Sequence, residues 1–173
     1  MNGFLLLIPF FIIRFVLLRR LSSSALRRAA HFAPMQGKEK IAYYIYQISN
    51  VGIVLYPLFL TIQINTLWCL AAGLLCYLLG LSLCTVTMVS FSTPDHTGLN
   101  MNGVYRFSRN PMYVAYFICF IGIALLTQSR VLFAMVVVFQ VSAHWIILAE
   151  ERWCLEKFGT DYERYMHRIR RYI

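Results

Sequence analysis

Residues 67–91 read LWCLAAGLLCYLLGLSLCTVTMVSF, a stretch of 25 residues that contains no charged side chain. A helix needs about 20 consecutive apolar residues to cross the hydrocarbon core of a bilayer, within a range of about 17–25. The stretch therefore predicts a transmembrane helix, and it points to a membrane protein rather than a soluble one.

Four further apolar stretches lie on either side of this one. Together they predict five transmembrane helices: Phe4–Leu18, Ile41–Ile64, Leu67–Phe91, Pro111–Thr127 and Val131–Ala149. Very short connections join the second helix to the third and the fourth to the fifth, which predicts two antiparallel hairpins. We expect an all-α polytopic helix bundle that forms a single integral membrane domain over residues 1–173.

The composition supports this class, because 60% of the residues are hydrophobic and only 13% are charged. A soluble domain is about 25% charged, and a core of this length cannot hide so much apolar surface from water. Ordinary soluble enzymes and nucleic-acid modules are therefore excluded. The net charge of +9 indicates orientation and contact with anionic lipid instead. The five cysteines form no CxxC pair, so we predict neither a metal site nor a disulfide framework.

The positive charges predict the topology. Segments 19–40 and 92–110 and the tail after Ala149 hold six, two and six Lys or Arg residues, against only Arg130 between the last two helices. Since Lys and Arg accumulate on the cytoplasmic side, the N-terminus is predicted outside and the C-terminus in the cytoplasm. Apolar residues recur at helical spacing in the tail Glu150–Arg171, which predicts an amphipathic cytoplasmic helix that Gly159 interrupts.

Polar chemistry is concentrated in two predicted cytoplasmic segments. The loop 92–110 is long for a connection between helices and is rich in polar residues and glycine. The fifth helix runs directly into the paired carboxylates Glu150 and Glu151. Both segments carry recognisable patterns.

Residues 103–113, GVYRFSRNPMY, resemble the glycine–x–tyrosine … arginine–histidine–proline–x–tyrosine signature of the isoprenylcysteine carboxyl methyltransferase family and of related membrane phospholipid methyltransferases. Residues 150–165, EERWCLEKFGTDYERY, resemble the double-glutamate segment and the phenylalanine–glycine–x–x–tyrosine pattern that follow in the same proteins. The resemblance covers residues 67–173, whereas residues 1–66 correspond only to additional N-terminal spans. Asn110 stands where isoprenylcysteine enzymes have histidine, which is closer to the broader bacterial phospholipid methyltransferase-like branch and implies a bacterial cytoplasmic membrane.

The resemblance implies S-adenosylmethionine (AdoMet) as methyl donor, bound by segments 92–113 and 144–165. It makes Arg109 the candidate for the donor carboxylate and Glu150 and Glu151 candidates for the ribose hydroxyls or the ammonium. Arg109 and Glu151 are the candidate catalytic residues. The implied cofactor-binding set is His96, Leu99, Gly103, Tyr105, Arg109, Asn110, Pro111, Tyr113, Glu150 and Glu151.

Polar residues of the fifth helix suggest a route for the acceptor. Gln140, His144 and Glu151 are spaced by four and seven residues, so they share one helix face. Together with Arg106 in the loop, Gln140 and His144 are candidates for an acceptor channel, because polar residues at membrane depth usually face a cavity or the bundle interior. The alternative is that both only bond to neighbouring helices.

The resulting interpretation is an integral membrane methyltransferase whose acceptor is a lipid or another lipophilic small molecule, with no nucleic-acid partner. A phospholipid amine is favoured over a prenylated cysteine carboxylate. Two other classes stay open: an NAD(P)H-dependent sterol or steroid reductase, and a small transporter or assembly factor. The reductase pattern has an acidic residue soon after the tyrosine, whereas in this chain Val114 and Ala115 follow Tyr113.

Overall fold

The computed structural model describes residues 1–172 and is built from helices. The α-helices in chain order are α1 Leu7–Phe11, α2 Leu18–Leu21, α3 Ser23–Ala29, α4 Glu39–Leu55, α5 Leu67–Ser92, α6 Pro111–Leu126, α7 Arg130–Phe158 and α8 Thr160–Arg168. Within the described residues there is no strand, only an isolated antiparallel bridge between Asn2 and Thr61. The predicted all-α class is confirmed.

Two of these helices, α5 and α7, are long and apolar enough to cross a membrane. Helix α6 is equally apolar but has only 16 residues. The first predicted span is helical from Gly3 to Leu21 but not uniform, since a 3-10 turn, α1, a π-turn over Ile12–Leu17 and α2 follow one another. Two spans are thus supported by length, and the five-span topology stays a prediction.

The second predicted span, Ile41–Ile64, is wrong at its end. Helix α4 stops at Leu55, because Pro57 has no backbone N–H to donate to a carbonyl of the preceding turn. A 3-10 turn follows, and the chain beyond it is extended. Its backbone bonds to the N-terminus and to the end of α6, as in Gln63 N to Leu126 O at 2.9 Å. The residues after Leu60 therefore close one end of the bundle instead of continuing a helix.

Helices α5 and α6 pack closely through glycine. A Cβ added to Gly80 would collide with the backbone of Cys119, and one added to Gly122 would collide with the backbone of Tyr77. Small residues let membrane helices approach at backbone distance, where packing attraction is the main force holding them together. These two glycines thus set the spacing of the α5–α6 pair.

The N-terminal segment packs into the same bundle. Phe10 lies between Tyr116 and Phe120 of α6, with ring centroids 5.0 Å from each. The hydroxyl of Tyr77 donates to the carbonyl of Leu6 at 2.8 Å. The residues before α5 are therefore part of the wall of the bundle and reach the site described below.

The tail bends at Gly159, as the sequence predicts. Gly159 has a φ of +53° and ends α7, after which α8 turns back towards the loop before α6. Tyr162 and Tyr165 of α8 are buried with Leu99 in a small apolar cluster, and the Tyr165 hydroxyl donates to the Tyr105 carbonyl at 2.6 Å. The tail thus covers the loop. Its amphipathic membrane-surface role stays a prediction.

Candidate functional site

A cavity of about 540 Å³ lies where the loop 92–110, the starts of α6 and α8 and the end of α7 meet the N-terminal segment. That volume falls within the range of about 300–1,000 Å³ typical of small-molecule sites. Seven of the residues predicted for cofactor binding line it: Leu99, Tyr105, Arg109, Asn110, Tyr113, Glu150 and Glu151. The fold therefore brings both motif segments to one cavity.

Turn chemistry shapes the loop on this cavity. The Asp95 carboxylate accepts hydrogen bonds from the backbone of Thr97 and Leu99 and, at 2.6 Å, from the Thr97 hydroxyl. That last bond holds the pKa of Asp95 below its usual value. Gly98, with a φ of +88°, allows the chain to reverse between these residues. The turn places Leu99 in the cavity wall.

Gly103 and Pro111 serve the backbone near the cavity rather than its lining. Gly103 has a φ of +58°, and a Cβ there would collide with the Ser90 hydroxyl, so the loop lies directly on the end of α5. Pro111 opens α6, where its missing N–H costs nothing. Asn110 precedes it but makes no side-chain cap.

His96 and Arg106 lie elsewhere. Both line a second cavity of about 390 Å³ between the loop and α8, together with Asp161 and Arg164. The predicted grouping of His96 with the other cofactor-binding residues is therefore not what the structure shows, because the Asp95 turn directs the chain away from the main cavity at that point.

Gln140 and His144 do not line the main cavity either. The Nδ1 atom of His144 lies 2.7 Å from the Tyr172 hydroxyl. The side-chain oxygen of Gln140 is buried without a partner among the described residues. The structure thus pairs one of the two with the tail, and the acceptor channel that they were predicted to form stays a prediction.

Glu150 and Glu151 are neighbours with different surroundings. Glu150 accepts a hydrogen bond from the Tyr113 hydroxyl at 3.0 Å. It takes part in none of the ion pairs found within residues 1–172. A carboxylate buried beside a neutral phenol has no cation to compensate its charge, and a cationic ligand in the cavity would supply one.

Glu151 is compensated twice. Its carboxylate forms ion pairs with Arg109 at 2.9 Å and with Arg171 at 2.8 Å, and the side chains of Glu151 and Arg109 are only 5% and 8% exposed. Arg109 also donates to the Met166 carbonyl at 3.0 Å. Both ends of the Arg109 fork are therefore already engaged, and only its Nε is buried without a partner in the described part of the chain.

Backbone contacts extend this cluster to the end of the chain. The Arg109 N–H donates to the Arg170 carbonyl at 3.0 Å, and the Asn110 side-chain amide donates to the Arg171 carbonyl at 3.2 Å. Asn110 is thus used to bind the tail rather than to cap α6. The tail after α8 and the start of α6 are locked together beside the cavity.

Sequence reasoning missed the N-terminal contribution to the cavity. Arg14 and Arg28 line it, although Arg28 served in the sequence analysis only as one of the positive charges of segment 19–40 and Arg14 had no assigned role. Sequence reasoning also missed the ion pair of Arg152 with Glu39 at 2.8 Å, which connects α7 to the start of α4. A charge inside an apolar run is a recognised sign of a functional site, and Arg14 carried that sign.

Comparison with known protein families gives a match that covers part of the cavity wall. The family model described as phospholipid methyltransferase matches residues 66–161, which include the loop 92–110 and both glutamates. Comparisons with curated proteins and with solved structures gave no match. The matched residues make up more than half of the sequence and include the first motif and the double glutamate, so the chain belongs to the phospholipid methyltransferase family.

Proposed function

We propose that the protein transfers a methyl group from AdoMet to the amine of a membrane phospholipid, in the cavity described above. The observation that carries the proposal is Glu150, a carboxylate at the cavity wall that bonds to Tyr113 and to none of the cations nearby. A primary amine is the acceptor that such a carboxylate favours, because it is cationic before reaction and must lose a proton to react.

The cavity suits the proposed donor. AdoMet presents a carboxylate, an ammonium, a ribose diol and an adenine, so it needs charges of both signs and flat apolar surface. The wall supplies arginines, carboxylates and the aromatic rings of Tyr105 and Tyr113. Two buried polar atoms of the same wall, Asn100 Oδ1 and Arg109 Nε, have no partner within residues 1–172. Unpaired buried polar atoms are costly, and a polar ligand satisfies them.

When bound, AdoMet supplies an electrophilic methyl group on a sulfonium, and its transfer is an in-line displacement that depends mainly on positioning. The chain's part is to hold the acceptor nitrogen in line and to accept its proton. Glu150 is the group we assign to the proton, with Tyr113 orienting the carboxylate. A positioned base contributes roughly 10²–10⁴-fold to such a step.

We assign Arg109 and Glu151, the predicted catalytic pair, to donor binding and to holding the tail rather than to proton transfer. Their ion pair with each other and with Arg171 fixes the tail over the cavity. Arg109 contacts the donor through its free Nε, and Glu151 acts by holding Arg109. The assignment of the donor carboxylate to the whole Arg109 fork would require the Glu151 pair to open.

We also propose an orientation of the protein in the membrane. With N-terminus outside and C-terminus cytoplasmic, the loop 92–110 and the tail face the cytoplasm, where AdoMet is made. The excess of Lys and Arg in those segments supports this orientation. We place the protein in the bacterial cytoplasmic membrane.

AdoMet should raise the melting temperature of the detergent-solubilised protein, and NADPH should not. A ligand that binds only the native state stabilises it by mass action, by about 2.7 kcal/mol at a hundred times its Kd. For a chain of this length that corresponds to a shift of several degrees. The measurement is a thermal denaturation series at increasing concentrations of each ligand. A shift with NADPH and none with AdoMet would contradict the proposal and favour a reductase.

A further inference from the structure

We propose that Arg14 and Arg28 form a phosphate-binding subsite in the wall of the cavity and that the subsite selects the phosphate of the acceptor lipid. The inference rests on the proposed function, since it names the acceptor head group at the same site. Both residues lie outside the region that the family model matches, residues 66–161. The subsite therefore lies outside the residues that the family model describes.

Each guanidinium is held by one backbone carbonyl and one aromatic face. Arg14 donates to the Ala29 carbonyl at 2.7 Å and lies 5.8 Å from the Tyr116 ring centroid. Arg28 donates to the Phe91 carbonyl at 3.0 Å and lies 5.1 Å from the Phe91 ring centroid. These contacts fix the orientation of both groups, so they are pre-organised for a ligand.

Neither arginine is compensated by a carboxylate in the described part of the chain. The ion pairs there involve Arg109, Arg152, Arg164 and Arg171. The Nη1 atom of Arg14 and the Nε atom of Arg28 are buried without hydrogen-bond partners. A half-buried cation with a buried, unpartnered donor and no anion nearby is destabilising, and two of them at one cavity wall indicate that an anionic ligand completes the site.

The two guanidinium groups lie in the same region of the cavity wall. Arg14 bonds to the carbonyl of the residue next to Arg28. Both charges also act on the phenol of Tyr105, where burial raises the pKa and the two arginines oppose that rise. A guanidinium fork matches the oxygens of a phosphate in geometry as well as charge. Two forks around one cavity therefore favour a phosphate over a single-charge anion.

The charges of the cavity are arranged for a zwitterion. Glu150 attracts an ammonium, and Arg14 and Arg28 attract a phosphate, all on the wall of the same cavity. A phospholipid amine carries both groups a few bonds apart. Binding the phosphate at the arginines would bring the amine to Glu150, which is how the subsite would act on specificity without touching the reacting atoms.

The test compares lipid binding with donor binding in the full-length protein in detergent. Native mass spectrometry is carried out with an equimolar mixture of dioleoylphosphatidylethanolamine and dioleoylglycerol, which differ in the phosphate-bearing head group. The wild type should prefer the phospholipid, and the double variant Arg14→Gln/Arg28→Gln should lower the ratio of the two bound lipids about tenfold or more. Arg20→Gln, an exposed cation of the same segment, should leave the ratio unchanged.

The donor is measured in parallel by the thermal shift with AdoMet. A lowered lipid ratio with an unchanged AdoMet shift in the double variant supports the assignment, whereas an unchanged lipid ratio contradicts it. A lost AdoMet shift with an unchanged lipid ratio would overturn it, because the arginines would then bind the donor carboxylate. If the double variant does not fold, Arg14→Lys and Arg28→Lys keep the charge but lose the fork, and each should still lower the lipid ratio. If the wild type shows no methyl transfer but its lipid ratio depends on the two arginines, the proposed reaction is refuted and the subsite stands.

Discussion

Replacing Gly122 by alanine should strongly destabilise the protein, with Gly80→Ala close behind. The new Cβ would collide with the backbone of the facing helix, at Tyr77 for Gly122 and at Cys119 for Gly80. Overpacking costs about 1–3 kcal/mol where side chains can move, and more where they cannot. Since neither backbone can move without separating α5 from α6, we expect the upper end of that range or beyond.

The measurement is the melting temperature and the yield of monodisperse protein after solubilisation, and both should fall sharply for these variants. Gly52→Ala is the matched control, because its added Cβ would meet only the flexible thioether of Met135. Alanine also favours a helix over glycine by about 1 kcal/mol, so the control should melt at the wild-type temperature or slightly above it. A wild-type melting temperature for Gly122→Ala would mean that the two helices do not pack at backbone distance.

The adjacent substitutions Glu150→Gln and Glu151→Gln should produce opposite phenotypes. Glu151→Gln removes the anion that compensates Arg109 and Arg171. Breaking a buried pair from one side costs about 3–5 kcal/mol, which corresponds to a fall in melting temperature of roughly 10 °C for a chain of this size. Glu150→Gln keeps an acceptor for the Tyr113 hydroxyl, so its melting temperature should stay near that of the wild type.

The rate of methyl transfer should also distinguish Glu150→Gln, the thermally stable variant. Glu150→Gln should lower the rate of methyl transfer by on the order of 10²-fold, as expected for loss of a positioned base, in a protein that is still folded. Glu156→Gln, an exposed carboxylate on the same helix, should change neither quantity. A fully active Glu150→Gln variant would contradict the role assigned to Glu150, and a thermally unchanged Glu151→Gln variant would contradict the role assigned to the ion-pair cluster.

Much of the fold follows from local signals in the sequence. Helix α5 spans Leu67–Ser92 against a prediction of Leu67–Phe91, because an uninterrupted apolar run leaves the backbone no alternative partner in lipid. Helix α6 begins at Pro111 as predicted, since proline suits a first helical turn. The extended segment after α4 could not be predicted in the same way. Ile62 and Ile64 look like a continuing span, but the Ile62 N–H bonds to the Met1 carbonyl, and no local pattern encodes that pairing.

The candidate site was also predicted only in part from local patterns. The motifs correctly brought Tyr105, Tyr113 and the double glutamate to one cavity, because motif spacing reflects which elements meet. They could not say which glutamate pairs with arginines and which does not, since that depends on helix rotation relative to neighbours. The pair of Arg152 with Glu39 joins residues 113 positions apart. Only the folded chain shows that this arginine of the tail binds to the start of α4.

The central claim is that the cavity transfers a methyl group from AdoMet to a phospholipid amine. The most direct measurement uses purified full-length protein, AdoMet with a deuterated methyl group and vesicles that contain phosphatidylethanolamine, followed by mass spectrometry of the extracted lipids. The account predicts phosphatidylethanolamine that carries the deuterated methyl on its nitrogen, strongly reduced with Glu150→Gln. Folded wild-type protein that binds AdoMet but leaves the nitrogen of phosphatidylethanolamine unlabelled would contradict it.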